Sequence, residues 1–355
     1  MAFSPWMLGA RAAAAAAGRP LLAVSCSSPR ACTAVGGVFA ERWTGGPQWS
    51  VQPVPAPALS DPEFDFLSGV SCLTRTRCLA VGLDRPPIGA NVDYDYSALA
   101  ELWDGSTWSE QSPTLAETSN SFLQAVSCMS ASDCVAVGQG ITSPLAMGWD
   151  GSSWKVEQAP AASSAMAILN GVSCTSAASC TAVGYVAPSA TAPPRVLVER
   201  WNGRRWSRVR APGLPSNESA VLNAVACRRD ICTAVGAVGL QQLIERWNGR
   251  RWSIQRLPAN APGAELNGVS CFSGTDCVAV GGLTNNSRQS VAEHWDGRRW
   301  SVERTPRPAG GSLLWAASCP SAVECVAVGQ AGGSPLVEKW NGRRWSIQST
   351  TSRPG

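Results

Sequence analysis

Residues 314–346 read LWAASCPSAVECVAVGQAGGSPLVEKWNGRRWS, and this pattern returns seven times along the 355-residue chain. A short apolar run ends at Cys319. A tight loop leads to Cys325 and the triplet Ala-Val-Gly. A variable stretch then precedes Glu338, Trp340, an Asn-Gly pair and Trp345. Working outward, all 14 cysteines fall into seven pairs: Cys26/Cys32, Cys72/Cys78, Cys128/Cys134, Cys174/Cys180, Cys227/Cys232, Cys271/Cys277 and Cys319/Cys325. Five residues separate the members of each pair, except Cys227/Cys232, where four do. Of the 16 tryptophans, 14 pair as Trp43/Trp49, Trp103/Trp108, Trp149/Trp154, Trp201/Trp206, Trp247/Trp252, Trp295/Trp300 and Trp340/Trp345. A leucine stands five positions before each first Cys, and Ala or Gly stands three before it. A period of 44–56 residues marks a repeat architecture.

Each unit converts into strands. The run ending in the first Cys is short, partly β-branched and bounded by turn residues. The second Cys opens another strand, the segment before the first Trp a third, and the second Trp a fourth. Asn-Gly or Asp-Gly between the tryptophans signals a tight hairpin in six units. Only Ala12–Ala17 offers a helical run. A four-stranded meander cannot bury both of its faces alone, so the units must stack. Radial stacking gives an all-β fold, a seven-bladed β-propeller of four-stranded antiparallel blades. The repeats run approximately 21–53, 67–113, 122–160, 168–212, 221–258, 265–306 and 313–349, within a propeller of 21–355. Residues 1–20 are expected as a leader or unstructured segment. The small residues before each first Cys place that strand nearest the axis. First and last strands are in phase, so ring closure needs no exchanged strand.

The unit resembles β-propeller blades of the kelch and Asp-box (sialidase-like) kinds, closest to secreted bacterial propellers with a cysteine pair in each blade. The likeness covers residues 21–349. It departs in detail: Asp104 touches Gly105 directly, where an Asp box has a spacer, and only Gly36-Gly37 and Gly281-Gly282 match the kelch glycine pair. The resemblance implies architecture and no enzyme activity.

Composition narrows function by exclusion. At 45% hydrophobic and 15% charged residues the chain is too apolar for disorder, and no run of about 20 apolar residues spans a bilayer. A single histidine, His294, argues against a His-based triad and His-centred metal sites. No P-loop, dinucleotide fingerprint or zinc-protease motif is present. Two cysteines flanking a tight hairpin loop can reach disulfide distance. Zinc would call for two Cys pairs or added His within one unit. Disulfides imply export to an oxidising space, extracellular or at the cell surface. The N-terminus makes a weak signal peptide, since it lacks a basic start and Arg11 interrupts its apolar region.

The Glu two before the first Trp recurs as Glu41, Glu101, Glu199, Glu245, Glu293 and Glu338, with Met147 in the third unit. It shares a sheet face with both tryptophans. That predicts an inter-blade core with each acid paired to an indole, a backbone amide or an Arg. The first hairpin is one residue longer and is expected to carry a bulge. The slot of His294 holds Arg42, Leu102, Gly148, Arg200, Arg246 and Lys339 elsewhere, which reads as a variable surface position.

Meander parity assigns the loops to the two ends of the disc. The Cys loops and Trp hairpins share one face and hardly vary. The other loops vary in length and share the opposite face, where binding residues are expected. The richest cluster there belongs to the second unit: Asp61, Glu63, Phe64, Asp65 and Phe66 before its first strand, then Asp84, Arg85, Asp93, Tyr94, Asp95 and Tyr96. Carboxylates beside aromatic rings suit sugar binding, and their oxygens also suit Ca²⁺. The alternative is a solvated acidic loop with its rings tucked against the blade. Trp315 is a second candidate, as a stacking platform or as packing against a neighbouring blade. The expected function is a secreted, non-catalytic propeller binding a carbohydrate or protein partner, as a monomer and with no cofactor. A glycan-cleaving hydrolase using two of these carboxylates is the alternative. Against a sialidase, Arg85, Arg195, Arg210 and Arg288 are scattered over several units.

Charge is divided unevenly. Residues 1–194 carry net −6 and residues 195–355 net +10. Eight arginines of the second half (Arg204, Arg205, Arg250, Arg251, Arg298, Arg299, Arg343 and Arg344) sit in the Trp hairpins of units four to seven. They read either as an arc for an anionic polymer or as duplicated tips whose stems cover Trp rings.

Overall fold

The computed structural model describes residues 19–37, 39–55, 65–85, 97–113, 120–141, 143–160, 166–189, 191–215, 217–285 and 288–350. They form 28 strands and no helix. The strands make seven four-stranded antiparallel sheets, each a meander of consecutive strands. In the first blade these are Leu21–Ser28, Ala31–Gly36, Phe39–Trp43 and Ser50–Pro53. No strand is exchanged at the closure, because the last four strands form a sheet of their own.

The first strands of neighbouring blades touch all round the ring, including that of blade seven against that of blade one. A Cβ added at Gly69 would lie 2.8 Å from the Cα of Ala125, and one at Gly268 would lie 2.7 Å from that of Ala316. Small residues are therefore required where these strands crowd the axis. The Ser before each first Cys tightens the same ring. Ser25 Oγ accepts the Cys72 N–H at 2.9 Å, and Ser71, Ser127 and Ser173 do the same for Cys128, Cys174 and Cys227. Ser270 serves Cys319, and Ser318 accepts from Cys26 across the closure, each at 2.9 Å. Blade five has Ala226 at this position.

The core lies between blades. Cys78, Ala80, Trp103 and Trp108 of blade two pack on Val35, Ala40 and Val54 of blade one. At the closure, Cys32, Ala34 and Trp49 pack on Val326, Val328 and Val337 of blade seven. Each such buried Val contributes about 1.5–3 kcal/mol.

Seven disulfides close, one per blade, each joining strands one and two at Cα separations of 3.9–4.1 Å. The Cys loops turn at the end of the disc, but the bridges lie beneath that surface. The second member of every pair (Cys32, Cys78, Cys134, Cys180, Cys232, Cys277 and Cys325) is at most 4% exposed. Its strand is the second of the blade, flanked on both sides. Cys180 is bridged to Cys174 and faces Trp201 on the third strand, Cys232 is bridged to Cys227 and faces Trp247, and Cys277 is bridged to Cys271 and faces Trp295. The preceding blade covers the sulfur as well. Thr181 Oγ1 lies 3.7 Å from Cys232 Sγ, and Thr233 Oγ1 lies 3.7 Å from Cys277 Sγ. The shorter Cys227/Cys232 spacing has a simple cause. The other blades place a bulged residue after the first Cys, such as Leu73 or Phe272, and blade five has none there.

A second bulge follows the recurring Leu in every blade, where Leu222 faces Gly236 and Ala224 faces Val235 with Asn223 between them. It turns the carbonyl before the Leu onto the Ala-Val-Gly glycine. A Cβ there would lie 1.9–2.1 Å from that oxygen in all seven blades. This is why the triplet ends in Gly.

The Trp hairpins settle the register left open by sequence. Trp340 faces Trp345 across a four-residue loop, Asn341–Arg344. Asn341 Oδ1 accepts the N–H groups of Arg343 and Arg344 at 3.0 Å, and Gly342 takes φ 84°. The first hairpin departs from expectation. Its pairing from Phe39↔Pro53 to Arg42↔Ser50 is unbroken, so there is no bulge. The extra residue is absorbed in the loop, where Gln48 bridges to Ser349 and the Trp49 N–H bonds the Ser349 carbonyl at 3.3 Å. That contact ties the end of blade seven to blade one.

Candidate functional site

The two ends of the disc differ as the meander requires. A Cβ added at Gly105 would touch Thr76, one at Gly203 Ala178, and one at Gly297 Thr275. Each Trp hairpin therefore rests on the Cys loop of its own blade. Every Cys-loop turn has two residues between strands, and six of the hairpins have four. At the opposite end, the connection between strands two and three ranges from two residues in blade five to twelve, 85–96, in blade two. A rigid constant end thus carries a variable one.

Of the residues singled out on the variable face, Asp65, Phe66, Asp84 and Arg85 are described. Asp61, Glu63, Phe64, Asp93, Tyr94, Asp95 and Tyr96 lie outside the described residues. Asp65 and Arg85 are buried, at 1% and 7% exposure, and the Arg85 N–H donates to Asp65 Oδ1 at 2.9 Å. Burial, followed by the charge and hydrogen bond of Asp65, pushes the Asp84 carboxyl up. The two acids therefore meet at the foot of blade two's long loop, an arrangement stable when one of them is protonated. Among the described residues, no three His, Cys, Asp or Glu side chains come together as metal ligands.

The cysteines, the other residues singled out from sequence, are framework and not part of an accessible site. Cys180, Cys232 and Cys277 are buried at 1%, 3% and 1% exposure in three successive inter-blade cores. All 14 sulfurs are bridged, so no thiol is left for a ligand, a metal or a nucleophilic step.

The ring of glutamates differs from the expected pairing. Glu41, Glu101, Glu199, Glu245, Glu293 and Glu338 are at most 1% exposed. Among the described residues, no Arg or indole hydrogen-bonds them. Ser290 Oγ donates weakly to Glu338 at 3.5 Å, and both carboxyl oxygens of Glu101, Glu199 and Glu245 lack a partner. Burial pushes Glu41, Glu199, Glu245, Glu293 and Glu338 up to about 7. Burial, with Glu110 nearby, carries Glu101 to about 8. Burial favours the neutral form of these acids, in a slot that Met147 fills in blade three. With folded pKa values raised above the ordinary 4.5, their stabilising effect is complete below pH 4.5 and is lost as pH rises through 7–8. Glu245→Met is expected to stabilise the fold by about 1–3 kcal/mol at pH 8 and not at pH 4.5. Thermal unfolding at the two pH values checks this, and a gain of equal size at both would contradict it.

The residue before the first Trp is an inter-blade clasp, not a variable surface position. Arg42 lies 4.3 Å over the ring of Trp103, Arg200 5.0 Å over Trp247 and Arg246 4.5 Å over Trp295. Lys339 closes the ring 4.3 Å over Trp43. Arg246 Nη2 also donates to the Gly274 carbonyl at 2.7 Å, and Arg42 Nη2 to that of Arg75. In the same slot His294 bonds Asp276 at 3.1 Å and is half-buried. The pattern is cationic in four blades, but its meaning appears only once the next blade's Trp is beside it. Trp315 is the bulged residue of its innermost strand and is half-buried. Asn170, Asn223 and Asn267 occupy that position in other blades and donate to the next blade's carbonyl at 2.9–3.0 Å. Trp315 is part of this inner ring, not an exposed platform.

Among the described residues, the cationic centres that lie over Trp rings belong to the clasp residues Arg42, Arg200, Arg246 and Lys339 and to none of the eight hairpin arginines. All eight are exposed, and among the described residues one makes an ion pair, Arg299 with Asp296 at 4.0 Å.

No family model and no curated protein matches the chain. Solved structures share its architecture. YCF48 bound to D1 peptide is 12% identical with TM-score 0.58, covering 92% of each chain. The GH74 xyloglucanase from Xanthomonas campestris is 13% identical with TM-score 0.58, over 94% of this chain and 55% of that one. The WD40 β-propeller domain of Doa1 is 13% identical with TM-score 0.57, over 93% of each. At this identity the likeness is one of fold.

Proposed function

We propose that the chain is a secreted, non-catalytic binding propeller that takes a carbohydrate or protein partner on its variable-loop face. The observation that carries this is the contrast between the two ends: loop lengths are constant beside the Cys turns and range from two to twelve residues opposite them. Variation on a rigid frame is how binding surfaces are built. Seven disulfides fit an oxidising, extracellular setting. No helix among the described residues is long and apolar enough to cross a membrane. Among the neighbours in fold, YCF48 is seen with a peptide and the xyloglucanase acts on a glycan, so both partner classes suit the architecture.

Asp93→Ala and Tyr94→Ala are expected to abolish ligand retention while the variants still unfold in a single cooperative transition, as wild type does. Retention unchanged in both variants would remove the site from blade two.

A further inference from the structure

We infer that the constant face carries a second binding surface, for a linear anionic polysaccharide, built from the arginine pairs at the hairpin tips of blades four to seven. The tips are presented rigidly. Asn202 Oδ1 accepts the N–H groups of Arg204 and Arg205 at 3.0 Å, and Asn248, Asp296 and Asn341 hold their pairs in the same way at 2.8–3.0 Å. The cap therefore comes from the Asn or Asp, and of the eight arginine side chains only that of Arg299 reaches it, pairing with Asp296 at 4.0 Å.

Blades two and three demonstrate this within the same chain. Their tips are Asp104-Gly105-Ser106-Thr107 and Asp150-Gly151-Ser152-Ser153, with the same cap at 2.7–2.8 Å and no cation. Folding does not call for arginine at these tips, yet four consecutive blades carry two each. Only Arg299 approaches a carboxylate among the described residues, with 83% of its side chain exposed.

Few acids of this half reach the rim: Asp230 and Asp296 lie at the tips of blades five and six, and of the two only Asp296 pairs with a hairpin arginine. Glu199, Glu245, Glu293 and Glu338 are buried between blades. Asp276 and Glu324 are taken up by His294 and Lys339 at 3.1 Å.

An array of guanidinium pairs repeated from blade to blade matches a polymer with a repeating anion, since each fork can bind a carboxylate or sulfate in bidentate fashion. Nucleic acid fits less well. The second Trp of each of these hairpins is buried and the first is buried or half-buried, so no fully exposed ring stands beside the arginines for bases to stack on. Seven disulfides also fit the oxidising, extracellular setting that the proposed function takes, where anionic glycans are at hand.

The test measures binding of the purified protein to polygalacturonate, dextran sulfate, neutral dextran and a DNA duplex over a range of salt. Wild type is expected to bind one or both anionic polysaccharides at about 50 mM salt, with affinity falling steeply as salt rises. Replacing the arginine pairs of blades four and five by Ser-Ser, as in blade three, is expected to weaken binding about tenfold or more; replacing all four pairs abolishes it. Unfolding temperature should stay unchanged in both variants. Undiminished binding by the folded four-pair variant, equal binding of neutral dextran, tighter binding of the DNA duplex, or no binding to either anionic polysaccharide would each overturn the proposal. Neither variant touches the variable face, so this result is independent of the ligand proposed there.

Discussion

Gly236→Ala is expected to prevent blade five from forming, with a loss of about 3 kcal/mol or more, beyond the usual range for overpacking. The added Cβ would lie 2.0 Å from the Val221 carbonyl oxygen and 2.9 Å from the Leu222 Cα, both backbone atoms of the paired first strand. Neither can give way without breaking the ladder at the bulge. Blade five sits between two others, each needing its face covered, so local failure exposes the apolar faces of both neighbours. Gly213→Ala is the control, because nothing lies within 4 Å of its Cβ position. Soluble yield and thermal unfolding compare the two. A Gly236→Ala protein melting with wild type would show that the bulged carbonyl is not where the fold places it.

Reduction is expected to be as damaging when all bridges are opened together. Each disulfide joins cysteines five or six positions apart, a loop that the chain-entropy model values at about 2 kcal/mol. Seven such contributions rival the ~5–15 kcal/mol of net stability typical of a domain. Chain unfolded in guanidinium with reductant and then diluted should refold only when oxidation is allowed. Opening one bridge, as in the Cys72→Ala/Cys78→Ala double variant, should lower the unfolding temperature by only a few degrees. Recovery of cooperative unfolding by the fully reduced chain would contradict the view that the bridges staple the blades.

The paired cysteines, paired tryptophans and Ala-Val-Gly triplet made the propeller legible, because each marks the same place in seven consecutive meanders. Features defined by a neighbouring blade were not legible. The clasp slot holds Arg42, Leu102, Gly148, Arg200, Arg246, His294 and Lys339, a sequence without apparent order until the next Trp lies beside it. The pairing of the cysteines was readable within one unit, but the depth of Cys180, Cys232 and Cys277 was not, because the neighbouring blade supplies their cover. The glutamate slot was recognised as interior, but pairing was expected where burial favours the neutral acid instead; Met147 in the same slot was the signal. The first hairpin's extra residue is a matter of ring closure, and no single unit contains the Ser349 that it meets.

The candidate site was legible as a face more than as a set of atoms. Parity places the variable loops together whatever their sequence, and the constant end rests Gly105 on Thr76 as that parity requires. Asp65, Asp84 and Arg85 come together at the base of the second blade's loop. Alternation along strands could not show that two of these side chains would be buried there, since burial depends on the turn that follows.

The most direct test of the account is to incubate the purified, oxidised protein with a panel of bacterial and host glycans and peptides, reading bound and cleaved species by mass spectrometry. The account predicts retention of an intact ligand through the variable-loop face, without product. A cleaved glycan accumulating with enzyme concentration, and lost when Asp65 or Asp84 is replaced by Asn, would contradict it.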